Sequence, residues 1–129
     1  MDASGDVEPV KDETTQHPVP TAWRPALREI VEAFRRGDYG LVRGVEHVAP
    51  VSARTAQAIR RQIESYRVTL MPLPEETWDT SVTQWMGHKW EVLVDLWTLR
   101  DGSSDLVLHV DVFEAGDGFR IHIHLVYIP

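Results

Sequence analysis

The chain has no cysteine, which excludes disulfides and thiolate metal sites and agrees with a reducing, cytoplasmic setting. No apolar run approaches the ~20 residues that span a bilayer, so no membrane segment is expected. The first residues lack a basic stretch followed by an apolar one, so no secretory signal is expected. A surplus of positive charge is missing too. The net charge is −7, and more than half of it sits in residues 1–20, where Asp2, Asp6, Glu8, Asp12 and Glu13 face only Lys11. Sequence-independent nucleic-acid binding needs a positive field over phosphates, so nucleic acid is not an expected partner. A glycine-rich phosphate loop is absent: Gly116 and Gly118 lie between two strand-like runs, not before a helix. Ser103 and Ser104 sit in a turn signal with no base nearby, so a nucleophilic triad has no support.

What is present is strongest in the last forty residues. Trp90–Leu99, Leu106–Glu114 and Phe119–Ile128 read as strands, separated by the turn signals Arg100-Asp101-Gly102-Ser103 and Ala115-Gly116-Asp117-Gly118. Successive strand side chains alternate between faces. One face is then wholly apolar: Trp90, Val92, Val94 and Leu96; Leu106, Leu108, Val110 and Val112; Phe119, Ile121, Ile123, Leu125 and Tyr127. The other is mixed. It carries Leu93, Asp95 and Trp97; Val107, His109, Asp111 and Phe113; Arg120, His122, His124 and Val126.

Loop lengths set the expected register. A four-residue loop at Ala115–Gly118 places Asp111 opposite His122 and His109 opposite His124. A five-residue loop at Arg100–Ser104 places Asp95 opposite His109. Directly opposed residues have Cβ atoms ~5 Å apart, so this register gathers Asp95, His109, Asp111, His122 and His124 into one group.

Upstream, residues 1–20 read as a disordered acidic tail, because their composition cannot offset the entropy of ordering. Residues 21–129 read as one domain. A helix is expected from Trp23 to Arg36, with Leu27, Ile30, Val31 and Phe34 at helical spacing and Gly37 as its stop. Tyr39–Val45 reads as a short helical piece. Ser52 is the N-cap of a second long helix, Ala53–Tyr66. Val68–Leu73 is an edge strand or extended linker, since Pro72 and Pro74 forbid a central place. Met86-Gly87-His88-Lys89 has the type II′ signature and would pair Trp85 with Trp90. The expected fold is therefore α+β. Two long N-terminal helices and a short one pack on one face of a curved four- or five-stranded antiparallel meander.

That order, with the Arg36-Gly37-Asp38-Tyr39 break, resembles the nuclear-transport-factor-2-like and cystatin-like cone folds. A second resemblance covers about residues 23–129. It rests on Ala49-Pro50-Val51-Ser52, Pro72-Leu73-Pro74-Glu75-Glu76-Thr77-Trp78, Asp95-Leu96-Trp97-Thr98, Ser104-Asp105-Leu106-Val107-Leu108 and Val126-Tyr127-Ile128-Pro129. These stretches are similar to a bacterial domain-of-unknown-function family, mostly of single-domain proteins, which brings no known activity.

The candidate residues fall into three sets. Asp95, His109, Asp111, His122 and His124 combine imidazole and carboxylate, the chemistry of a divalent metal site or an acid–base pair. Alternation alone also puts polar residues on the wet face of a sheet. Leu93, Trp97, Val107, Phe113 and Val126 give that face more apolar surface than water contact requires. A second copy, a partner protein or the Val68–Leu73 segment is expected to cover it. Trp78 is the expected rim of a pocket. No cofactor beyond such a metal is implied. The expected function is a small binding or interaction domain working through the mixed face. The alternative is a cone-fold enzyme or ligand carrier using the histidines and aspartates.

Overall fold

The structure is a computed structural model, and residues 5–129 are described. Its elements in chain order are β1 (His17–Pro18), α1 (Arg24–Arg35), α2 (Ala53–Tyr66), β2 (Val82–Trp85), β3 (Trp90–Thr98), β4 (Gly102–Ala115) and β5 (Gly118–Tyr127). Short 3-10 turns occupy Thr21–Trp23 and Glu75–Asp79. The five strands form one antiparallel sheet in the order β1-β2-β3-β4-β5.

This overturns the expected architecture. The molecule is helix-poor: its two helices have 12 and 14 residues, and the sheet dominates. Tyr39–Val45 forms turns only. Gly37, Leu41 and Gly44 all have positive φ, at 83°, 53° and 81°. Left-handed residues this closely spaced stop a helix before its first turns can repay nucleation. A strand also precedes both helices, so the helices-first order behind the cone-fold resemblance falls with it.

The segment expected as a disordered tail lies against the body from Val7 onward. Thr21 N–H donates to the Val7 carbonyl at 2.9 Å. The Trp90 indole N–H donates to the Val10 carbonyl at 3.0 Å. His17 and Pro18 pair with Thr83 and Val82 at the sheet edge, and Val19 is fully buried. An unpaired strand edge and an apolar recess give this polar stretch partners that its composition does not reveal. Residues 1–4 of the expected tail lie outside the described residues.

Parity holds along β3 and β4. Trp90, Val92, Val94, Leu96, Leu106, Leu108, Val110 and Val112 are all buried. They share a core with Leu27, Ile30, Val31 and Phe34 of α1 and with Ile59 and Ile63 of α2. Ser52 caps α2 as expected, its hydroxyl accepting from Thr55 N–H at 3.1 Å. The Met86–Lys89 turn closes the β2–β3 hairpin, with Gly87 at φ 94°. It brings Trp85 opposite Trp90, their rings 4.6 Å apart. Leu70 bridges to Thr98, at the edge of β3.

Parity breaks in β5. A bulge between His109 and Val110 leaves His124 as an extra residue: His109 faces Leu125, and Val110 faces Ile123. Beyond it the faces exchange. Val126 pairs with the inward Leu108 and is fully buried, while Tyr127 pairs with Val107. Val126 is thus a core residue and not part of the outer face where it was expected. Tyr127 moves the other way.

Candidate functional site

The outer face of the sheet is carried by the odd-numbered residues of β3 and β4. The β2–β3 turn ends at Lys89, and Glu91 is the first outward side chain after it. Glu91 lies opposite Asp111, and Leu93 opposite His109. Across β4, Asp111 lies opposite His122. The β5 bulge brings the His124 ring to 4.6 Å from the His109 ring, centroid to centroid. It also lets the Tyr127 hydroxyl and His109 Nδ1 hydrogen-bond at 3.2 Å.

The centre of this face is a charged cluster with little water contact. Lys89 Nζ lies 3.1 Å from Asp111 Oδ2, their side chains 22% and 16% exposed. His109 Nε2 lies 3.7 Å from Asp111 Oδ1, too far for a hydrogen bond. Both of those atoms are buried and have no hydrogen-bond partner in the structure. Burial, seconded by the adjacent His124 ring, pushes the His109 imidazole below its ordinary value, against a weaker upward pull from Asp111 and Glu91. Its neutral form offers a nitrogen lone pair. The ligand atoms of Glu91, His109 and Asp111 all lie within 4.8 Å of one another. Chemically, the group can hold a cation or exchange hydrogen bonds with a docked surface.

Residues 31–129 match the family model described as a domain of unknown function, DUF7668. The chain belongs to that family. No curated protein and no solved structure matches it. The DUF7668 match begins inside α1 and runs to the C-terminus, so Lys89, Glu91, His109, Asp111, His124 and Tyr127 all lie within it. The expectation of a domain-of-unknown-function family is met. Among the described residues of this DUF7668 chain, no helix is long and apolar enough to cross a membrane.

Of the residues expected to converge, His109, Asp111 and His124 do. His122 stands across from Asp111 but packs edge-on against Phe113, ring centroids 5.0 Å apart. Asp95 is displaced. The β3–β4 loop holds three residues, and a bulge follows between Asp95 and Trp97, so Asp95 pairs with Val107 instead of His109. Its carboxylate accepts from the Thr80 hydroxyl. Three members of the cluster were not anticipated. Glu91 has the same parity as Leu93, so alternation alone marks it as outward. Lys89 ends a turn that was itself expected. Tyr127 had no signal, because nothing in the sequence announces the bulge.

Among the apolar candidates, Leu93, Trp97 and Phe113 are half-buried on the outer face. Val107 is only 6% exposed, already covered by its neighbours. Trp97 Nε1 is buried without a partner. Trp78 is buried, with the Arg24 and Arg28 guanidinium groups 5.2 and 5.5 Å from its ring. It lines a shallow surface cavity with Pro18, Arg24, Glu75, Glu76 and Asp79. Glu75 is engaged by Arg28.

Proposed function

We propose that this domain is a non-catalytic interaction module whose working surface is the outer face of its sheet. One observation carries the reading. Among the described residues, four buried side-chain polar atoms have no partner, and three belong to that face: Trp97 Nε1, His109 Nε2 and Asp111 Oδ1. Leaving such groups unsatisfied costs about 1–3 kcal/mol each. Around them Leu93, Trp97 and Phe113 leave half-buried apolar surface, and a docked surface that shifts these side chains supplies the missing partners.

The occupant that the layout favours is a second copy of the chain. An isologous interface has to be complementary to itself. Here the carboxylates Glu91 and Asp95 stand on β3, and Arg120, His122 and His124 stand on β5. Half-buried Leu93 lies between the two carboxylates, and half-buried Phe113 packs against His122. A two-fold axis near β4 sets each β5 over the partner's β3 and matches donors with carboxylates. Strand spacing and rise give this face a plan of roughly 15 by 30 Å. That is about half of the ~800 Å² that each partner contributes to a standard interface. The pairing is therefore weak and concentration-dependent.

Sedimentation across a concentration series tests this. The 14.7 kDa chain should approach twice that mass at high concentration, and Leu93→Asp should hold it single without changing its circular dichroism. A wild type that stays single throughout, or a Leu93→Asp variant that pairs like wild type, refutes the reading.

A further inference from the structure

We propose that Glu91, His109 and Asp111 form a site for one divalent transition-metal ion of the zinc type. The site deepens the reading of the outer face as a binding surface, but it does not depend on pairing.

The geometry is that of ligand atoms spaced about a common centre. Two ligands ~2.0–2.1 Å from a tetrahedral zinc are about 3.4 Å from each other. His109 Nε2 and Asp111 Oδ1 are 3.7 Å apart, close to that span. Neither atom has a hydrogen-bond partner, although both are buried. Glu91 supplies a third ligand atom inside the same 4.8 Å compass.

The surroundings fit the same role. His109 Nδ1 is engaged by the Tyr127 hydroxyl at 3.2 Å. When Nδ1–H donates to that oxygen, the Nε2 lone pair points at Asp111. Metal-binding imidazoles are commonly fixed by such a bond on the other ring nitrogen. One neighbour opposes the ion: Lys89 Nζ, 3.1 Å from Asp111 Oδ2, holds a positive charge beside the carboxylate that the ion must share. One imidazole with two carboxylates selects a borderline transition ion over magnesium or calcium, which take oxygen ligands. Three protein ligands leave a fourth position open for water or for a group from a docked surface.

The test is calorimetric titration of the metal-stripped full chain with zinc chloride, with magnesium chloride as comparison. Wild type should take up one zinc per chain and show no magnesium heat. His109→Ala and Glu91→Gln should each weaken uptake at least tenfold while keeping the wild-type circular dichroism. Tyr127→Phe, which alters a positioning residue, should weaken it roughly tenfold. His47→Ala should leave it unchanged. Lys89→Met should tighten uptake roughly threefold, by removing a like charge. A Lys89 that is purely structural predicts no such tightening. No zinc uptake by wild type overturns the site, and so does uptake that survives His109→Ala. A chain that binds no zinc yet still doubles its mass overturns this site alone. A chain that binds zinc and stays single overturns the pairing alone.

Discussion

Replacing Lys89 by methionine probes the energetics of the outer-face cluster. Methionine keeps most of the aliphatic stem and removes only the charge. The ammonium is 3.1 Å from Asp111 Oδ2. At an effective dielectric near 20, two unit charges at that distance attract by about 5 kcal/mol before desolvation is counted. Removing one partner costs about 3–5 kcal/mol for a fully buried pair and less than about 1 kcal/mol for an exposed one. With 22% and 16% of the two side chains exposed, the expected loss lies between these limits, at about 1.5–2 kcal/mol. For a chain of this length, the unfolding entropy turns that into a drop of roughly 5–7 °C in Tm. The assay is thermal and urea unfolding followed by circular dichroism in the presence of a chelator. A Lys89→Met/Asp111→Leu double variant should recover most of the loss, because no stranded carboxylate remains. The reasoning fails if Lys89→Met melts with wild type, or if the double variant melts below both single variants.

Two further predictions concern His109 in the same cluster and Val19 beside β1. The His109 imidazole is held below its ordinary value of 6.5 by burial and by His124. Its contribution to stability is therefore present above that value and is lost as pH falls below it. Between about pH 7 and about pH 5, wild type should lose more Tm than His109→Gln does, and equal losses would refute the assignment. Val19, fully buried beside β1, should not tolerate a charge: Val19→Asp should cost about 3 kcal/mol in urea unfolding. A substitution without effect would mean that the segment is solvated after all.

Legibility in the sequence followed the strength of local rules. Alternation placed the apolar core residues Trp90–Leu96 and Leu106–Val112 at even positions, because a half-buried sheet punishes any slip of register; buried Val107 and Thr98 lie outside that set. The Gly87 turn fixed the Trp85–Trp90 pair, since a glycine at that position has few other uses. The second hairpin was also readable as far as Asp111 and His122. What failed was whatever depends on loop length or on extra residues inside a strand. Neither bulge, between Asp95 and Trp97 or beside His109, carries a glycine or proline to mark it. Each is selected by the packing of the whole sheet. The three-residue β3–β4 loop, shorter than expected, removed Asp95 from the cluster, and the bulge beside His109 turned Val126 inward and Tyr127 outward. The helical piece at Tyr39–Val45 failed for a related reason, since a run of apolar residues says nothing about the sign of φ at Leu41. The strand at His17–Pro18 exists only because an edge was waiting for it.

The two margins of the sheet have a consequence of their own. One ends in a two-residue strand that includes Pro18, and the other is met at Ile121 by a parallel contact from Val48. Proline offers no amide, and a short flank gives an incoming chain little to extend. The β1 margin is therefore a poor template for strand addition. An assembly formed through the proposed outer face alone would close on itself instead of lengthening.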